Sequence, residues 1–158
     1  MVIGKDEYGV VVGRVVAPPE SRHQDLTFRT IVAMRLAAGI AVGLLAAVAV
    51  FQISLALGAP WGSAAWGGAH ASVLPNRLRV ASLVVGVIVY PLLIIFVLAS
   101  AGTITADWMP GTGKAGMWVL TGFFVLGTIA NFASRSKQER MWGPVSLAIA
   151  VCCAAIAM

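Results

Sequence analysis

The side chains that could move protons, hold metals or act as nucleophiles are few, and their positions limit the chemistry open to this chain. Its carboxylates are Asp6, Glu7, Glu20, Asp25, Asp107 and Glu139, its histidines His23 and His70, and its cysteines Cys152 and Cys153. No carboxylate or histidine falls inside a long apolar stretch. Proton- and cation-coupled transporters carry an ionisable group at membrane depth, and a haem bundle needs axial ligands on facing helices. The chain taken alone offers neither, and a paired-carboxylate protease or a buried metal centre fails for the same reason. Cys152 and Cys153 are adjacent, so on a helix they point about 100° apart and a disulfide between them would be strained. They read as small apolar packing residues. His70 has Ser63 and Ser72 in its loop but no acid to orient it as a base, so it reads as a solvated loop residue. The expectation is a protein that is not an enzyme and uses no cofactor and no metal.

The elements that carry these residues are built for lipid. Of 158 residues, 59% are hydrophobic and 11% charged, against roughly 25% charged in an ordinary soluble domain. That leaves too little polar surface to cover the chain in water. Four apolar stretches, about residues 36–57, 80–100, 116–133 and 141–158, are each near the ~20 residues that cross ~30 Å of hydrocarbon. The expected fold is all-α, a four-helix transmembrane bundle over residues 29–158, multi-pass in the cell membrane, with both termini on one side. Residues 1–28 read as a polar tail, with a valine-rich piece, Val10 to Val16, able to pair as a short strand and Pro18-Pro19 ending any regular element.

Within the first span, Gly39, Gly43 and Ala47 recur every four residues. That spacing puts small residues on one face, where another helix can approach closely, and predicts that enlarging Gly43 disturbs packing more than enlarging Ala49. Gln52 is the one strongly polar residue of this span and is expected to hydrogen-bond to another helix. Pro91, at the middle of the second span, predicts a kink. The first connection, residues 58–79, is rich in Gly, Ala and Trp. Trp61, Trp66 and, at the start of the fourth span, Trp142 suit the headgroup level. The loop is expected to lie on the membrane surface or to tuck into the bundle mouth. Arg77 and Arg79 end it, and Arg135, Lys137 and Arg140 fill the short third connection, SRSKQER. With four spans these two connections share a side, and their five cations form a rim that either holds anionic headgroups or simply marks the cytoplasmic ends of helices. No basic stretch stands apart from the apolar segments, so nucleic acid is not an expected partner; the lipid bilayer is.

Several spaced motifs, Gly58-Ala59-Pro60-Trp61-Gly62, Gly67-Gly68, Val73-Leu74-Pro75 with Arg79, Asn131, Ser134, Ser136 and Glu139-Arg140 with Trp142 and Pro144, resemble those of a family of small bacterial four-span membrane proteins. The resemblance covers roughly residues 36–158. It implies a four-span fold and transfers no activity and no functional residue. Three roles fit the residues. One is a structural or accessory subunit packing against another membrane protein or a second copy of itself. Another is a binder or carrier of an apolar or amphiphilic small molecule or lipid, with the Trp-rich loop as its lid. The third is an interfacial lipid enzyme built from His70, Arg77, Arg79, Asn131 and Glu139.

Charge also predicts orientation. Within ~15–20 residues of a span, where basic residues carry weight, the terminal side has Arg22, Arg29, Arg35 and Lys114, and the loop side has Arg77, Arg79, Arg135, Lys137 and Arg140. The membrane pattern begins near Met34, which reads as an alternative start; from there the terminal side keeps only Arg35 and Lys114. The expected topology puts SRSKQER in the cytoplasm and the C-terminus outside. A reporter active only in the cytoplasm should be silent when fused after Met158 and active after Lys137, and the opposite pattern reverses the assignment.

Overall fold

A computed structural model describes residues 4–5, 11–12 and 19–158, with side chains from residue 24 onward. Its first helix, α1, runs Pro19–Ala56, so the segment read as a tail contains the beginning of a helix. Pro19 does not end regular structure, because it stands at the first helical position. There the missing N–H is one the helix would leave unpaired in any case.

Met1–Val32 and Ala33–Met158 are separate compact units. In the first, β1 (Gly4–Lys5) pairs antiparallel with β2 (Val11–Val12), Gly4 opposite Val12. The rest of the valine-rich piece lies outside the described residues. Farther along, Arg29 Nε meets Asp25 Oδ2 at 3.3 Å, an exposed pair one helical turn apart.

The second unit is a helical bundle. After α1 come α2 (Asn76–Ser100), α3 (Lys114–Ala133) and α4 (Lys137–Ala157), the last broken at Met141. All four helices are long and apolar enough to cross a membrane. The chain is a small multi-pass integral membrane protein with an all-α, four-helix architecture. The core is formed by Ala38, Ala41 and Leu45 of α1, Val97 of α2, Met117, Leu120 and Phe124 of α3, and Ile149, Cys153 and Ile156 of α4. Both cysteines are buried and free. The three residues between α3 and α4 force these helices to be antiparallel neighbours. They lie close enough that a Cβ on Gly143 would sit 2.8 Å from the Phe132 ring.

The bend expected at Pro91 takes the form of a π-helical segment, Val85–Val89, just before it. A proline inside a helix donates no hydrogen bond and crowds the carbonyl four residues back. Widening the preceding turn, so that the Tyr90 N–H reaches Val85 O, relieves that crowding. The same segment contains Gly86, where α2 meets α1. A Cβ there would stand 2.9 Å from Ile53 Cγ1 and 3.1 Å from Ala49 O.

The close-contact face of α1 is therefore not the one the glycine spacing suggested. Gly39, Gly43 and Ala47 are exposed, and nothing lies within 4 Å of a Cβ built on either glycine. The buried stripe is Ala41, Leu45 and Ala49, displaced by two residues and hence about 200° around the helix. This reverses the expected ranking of the two substitutions. Ala49→Leu should destabilise the protein by about 1–3 kcal/mol through overpacking against α2, whereas Gly43→Leu should leave the melting temperature of the isolated chain nearly unchanged. Thermal unfolding in one mild detergent compares them; equal losses would mean that the Gly43 face is also closed.

Candidate functional site

The first connection ends α1 with a backbone motif that only certain residues allow. Gly58 takes φ 101, a left-handed conformation that glycine reaches without steric cost. The Ala59 N–H then donates to Ser54 O and the Gly58 N–H to Leu55 O, the two bonds of a Schellman cap. The next carbonyl, Ala56 O, accepts from Arg79 Nε at 3.0 Å, placing a guanidinium at the negative end of the helix. Arg79 is thus a helix cap, while Arg77, Arg135, Lys137 and Arg140 stand exposed. The loop itself is folded back onto the bundle end, with Ala65 and Leu74 buried against Leu55 and flanked by Phe51 and Leu78.

The third connection holds this loop down. Ser136 is the N-cap of the Lys137–Arg140 turn, and its side chain accepts from the Glu139 N–H. In a reciprocal capping box the glutamate three residues on would return to the Ser136 N–H. Here Ser134 Oγ accepts that N–H, and the Glu139 carboxylate is free to reach across. One of its oxygens accepts from the Gly67 N–H at 2.8 Å and the other from the Ser134 hydroxyl. Ser136 Oγ donates to Ser63 O at 2.5 Å. Two indoles complete the attachment: Trp142 Nε1 donates to Ala64 O at 3.0 Å, and Trp66 Nε1 to the buried Ser82 Oγ at 2.9 Å. Trp66 and Trp142, expected at the headgroup level, thus direct their polar edges to protein acceptors. Trp61 is half exposed and stacks on Phe51, with ring centroids 6.2 Å apart.

Beneath the cap lies a cavity of about 200 Å³. Its polar lining comes from Gln52 of α1, Tyr90 of α2, Asn131 of α3, and Glu139 and Ser146 of α4. Asn131 Nδ2 donates to Ser146 Oγ at 3.1 Å. Gln52, expected to find a partner on another helix, leaves its side-chain oxygen buried and without one. Trp66 at the mouth has φ 54, a left-handed conformation that is uncommon for a bulky side chain and costs roughly 1–2 kcal/mol. A second hollow, of about 330 Å³, adjoins the cavity across Phe51, Ala64 and Trp142, which line both.

Of the residues singled out in the sequence, Trp61, Trp66, Arg79 and Trp142 are brought to this end of the bundle together with Ser134, Ser136 and Glu139. Gly39, Gly43 and Ala47 are not part of it. The sequence reading passed over Ser82, Tyr90, Phe124 and Ser146 as site residues. Ser82 and Ser146 are small polar residues inside apolar runs, and the Ser136-x-x-Glu139 spacing is itself a helix-start pattern. Those were the available signals.

No protein-family model matches the chain, and neither a curated protein nor a solved structure is detectably similar to it.

The latch makes a direct expectation. A bond to an ionised acceptor contributes about 1.5–3 kcal/mol, so Glu139→Ala should speed exchange of the Gly67 amide by roughly ten- to a hundredfold. Gln138→Ala, at an exposed neighbour, should not. Hydrogen exchange read by mass spectrometry on loop peptides measures both; equal rates in the two variants would show that the loop is held by other contacts.

Proposed function

We propose that the protein is a membrane-embedded binder of a small amphiphilic molecule, held in the cavity under the Trp66 loop. The observation that carries this reading is the cavity of about 200 Å³ under the Trp66 loop, with Gln52, Tyr90, Asn131, Glu139 and Ser146 set in an otherwise apolar lining. A few polar groups in an apolar concave lining are what orient a small amphiphilic molecule. The volume exceeds the ~150 Å³ that accommodates benzene in an apolar protein cavity. The adjoining hollow, bordered by Phe51, Trp61 and Trp142, provides space for an apolar extension. Strain retained at a residue that borders such a space, as at Trp66, is a recurring feature of ligand sites. This reading is of a binding role and not a catalytic one, and the resemblance drawn above supports a bacterial cell membrane as its location.

The exposed stripe of Gly39, Gly43 and Ala47 supports a second role, as a subunit packed against another membrane helix or a second copy of the chain.

Native mass spectrometry from mild detergent tests the binding role. The unaltered chain should retain one small molecule per copy. Val145→Phe, which places a ring into the cavity, should remove it while the protein still melts cooperatively. Release of the bare chain without any adduct would defeat the reading, and a stable two-chain or mixed complex would favour the subunit role.

A further inference from the structure

We infer that a hollow on the outer side of the α1–α2 junction binds one phospholipid with an anionic headgroup, its phosphate on Arg79 and an acyl chain along Leu57, Val80 and Leu83. The hollow, of about 230 Å³, is bordered by those four residues with Ala56 and Asn76. None of the six borders the cavity under the Trp66 loop, so this site is separate from the one proposed for a small molecule.

Along one face of α2 the chemistry changes in the order that it does along a phospholipid. Asn76 and Arg79 lead to Val80, Leu83 and Val87 at three- and four-residue intervals, so these side chains follow one another on a single face. Asn76 and Arg79 stand in the first turn of the span, the level at which headgroups lie. Val80, Leu83 and Val87 follow at about 1.5 Å per residue toward the membrane interior. All three are exposed, as is Leu57 across the hollow on α1. A molecule seated here meets a polar end and then an apolar stripe.

Arg79 is set up to receive an anion at the polar end. Its Nε donates to Ala56 O at 3.0 Å, which fixes the guanidinium and leaves its two terminal amino groups without a hydrogen bond among the described residues. No carboxylate borders the hollow, and among the described residues the one ion pair is Asp25 with Arg29. Within the bundle the carboxylate at this end is Glu139, which already accepts from Gly67 and Ser134. The terminal amino groups of a held guanidinium match two oxygens of one phosphate. Inorganic phosphate would leave Leu57, Val80 and Leu83 uncovered, whereas a phospholipid covers them with its own chain. Arg77, Arg135, Lys137 and Arg140 also attract anionic headgroups, but they stand exposed and none of them borders this hollow.

The probes are dimyristoylphosphatidylglycerol, the zwitterionic phosphatidylcholine with the same chains, and inorganic phosphate. Each is titrated against the full chain in mild detergent and read by native mass spectrometry. Phosphatidylglycerol should bind about fivefold more tightly than phosphatidylcholine, the scale of one basic residue at an anionic lipid surface. Excess inorganic phosphate should not displace it. Arg79→Gln should remove the preference, whereas Arg77→Gln, about 200° away around the helix, should keep it. Because Arg79 also caps α1, Leu83→Trp provides a variant that fills the hollow with the cap bond intact; it should weaken both lipids several-fold. Val145→Phe, in the separate cavity, should change neither. Equal affinity for the two lipids, equal loss of preference in Arg77→Gln and Arg79→Gln, or displacement by inorganic phosphate would each overturn the inference. Unchanged binding in Leu83→Trp would do so as well, and loss of the lipid in Val145→Phe would move it to the cavity. None of these outcomes bears on the small-molecule role, whose adduct is read at a different mass.

Discussion

The Glu139 carboxylate joins two loops that are 72 residues apart in sequence, and the capped end of the bundle depends on it. Its bond to the Gly67 N–H fixes the first loop at the point where the backbone passes through three consecutive left-handed residues, Trp66, Gly67 and Gly68. Unsecured, a bulky residue would leave that conformation for one of lower energy. Secured, it places the Trp66 ring beside the cavity and its N–H on Ser82. The same carboxylate accepts from Ser134, whose oxygen also holds the Ser136 N–H. The bond that closes the loop and the bonds that start α4 are therefore one network, and a network of this kind is lost together more readily than bond by bond.

The other constraint is that backbone polar groups near a bilayer must be satisfied within the protein. At the end of α1 this is met by Gly58, Ala59 and Arg79; at the start of α4, by Ser134 and Ser136. Within α2 the difficulty is Pro91, and the π-helical segment answers it while bringing Gly86 against α1. The helix ends are thus closed by groups at the cap, while the irregular turn of α2 lies at mid-span. Gln52, Asn131 and Ser146 border a common cavity because each sits where its helix approaches that end.

The spans were legible because length and hydropathy alone decide whether a segment suits lipid. Which face of a span turns inward was not, since a four-residue repeat of small residues defines a face without saying what it meets. On α1 Gly39-Gly43-Ala47 is such a repeat, but the row that turns inward is Ala41-Leu45-Ala49, which contains a leucine. The glycine that permits close approach, Gly86, has a single small partner at four-residue spacing, Ser82, and one such pair is a weaker signal than the three-membered repeat on α1. The basic rim hid the latch for a related reason. SRSKQER reads as a stretch of positive charge, and its one carboxylate matters through a backbone N–H that no sequence pattern places nearby. Pro19 misled in the opposite direction, because a helix breaker is also a helix starter and only position distinguishes the two.

A four-helix bundle of this size could close its end more cheaply, with alanine or leucine in place of Gln52 and Asn131 and with a glycine at Trp66. The chain instead keeps an unpaired amide oxygen at about 1–3 kcal/mol and a strained tryptophan at roughly 1–2 kcal/mol, both at the same cavity. Natural proteins are only marginally stable, so two such costs at one place call for a compensating interaction. The Glu139 network supplies the one that keeps the cap shut, but it does nothing for Gln52, whose buried oxygen has no hydrogen-bond partner. The tryptophan that bears the strain borders the cavity, so the bonds that hold the cap shut also set the shape of the space beneath it.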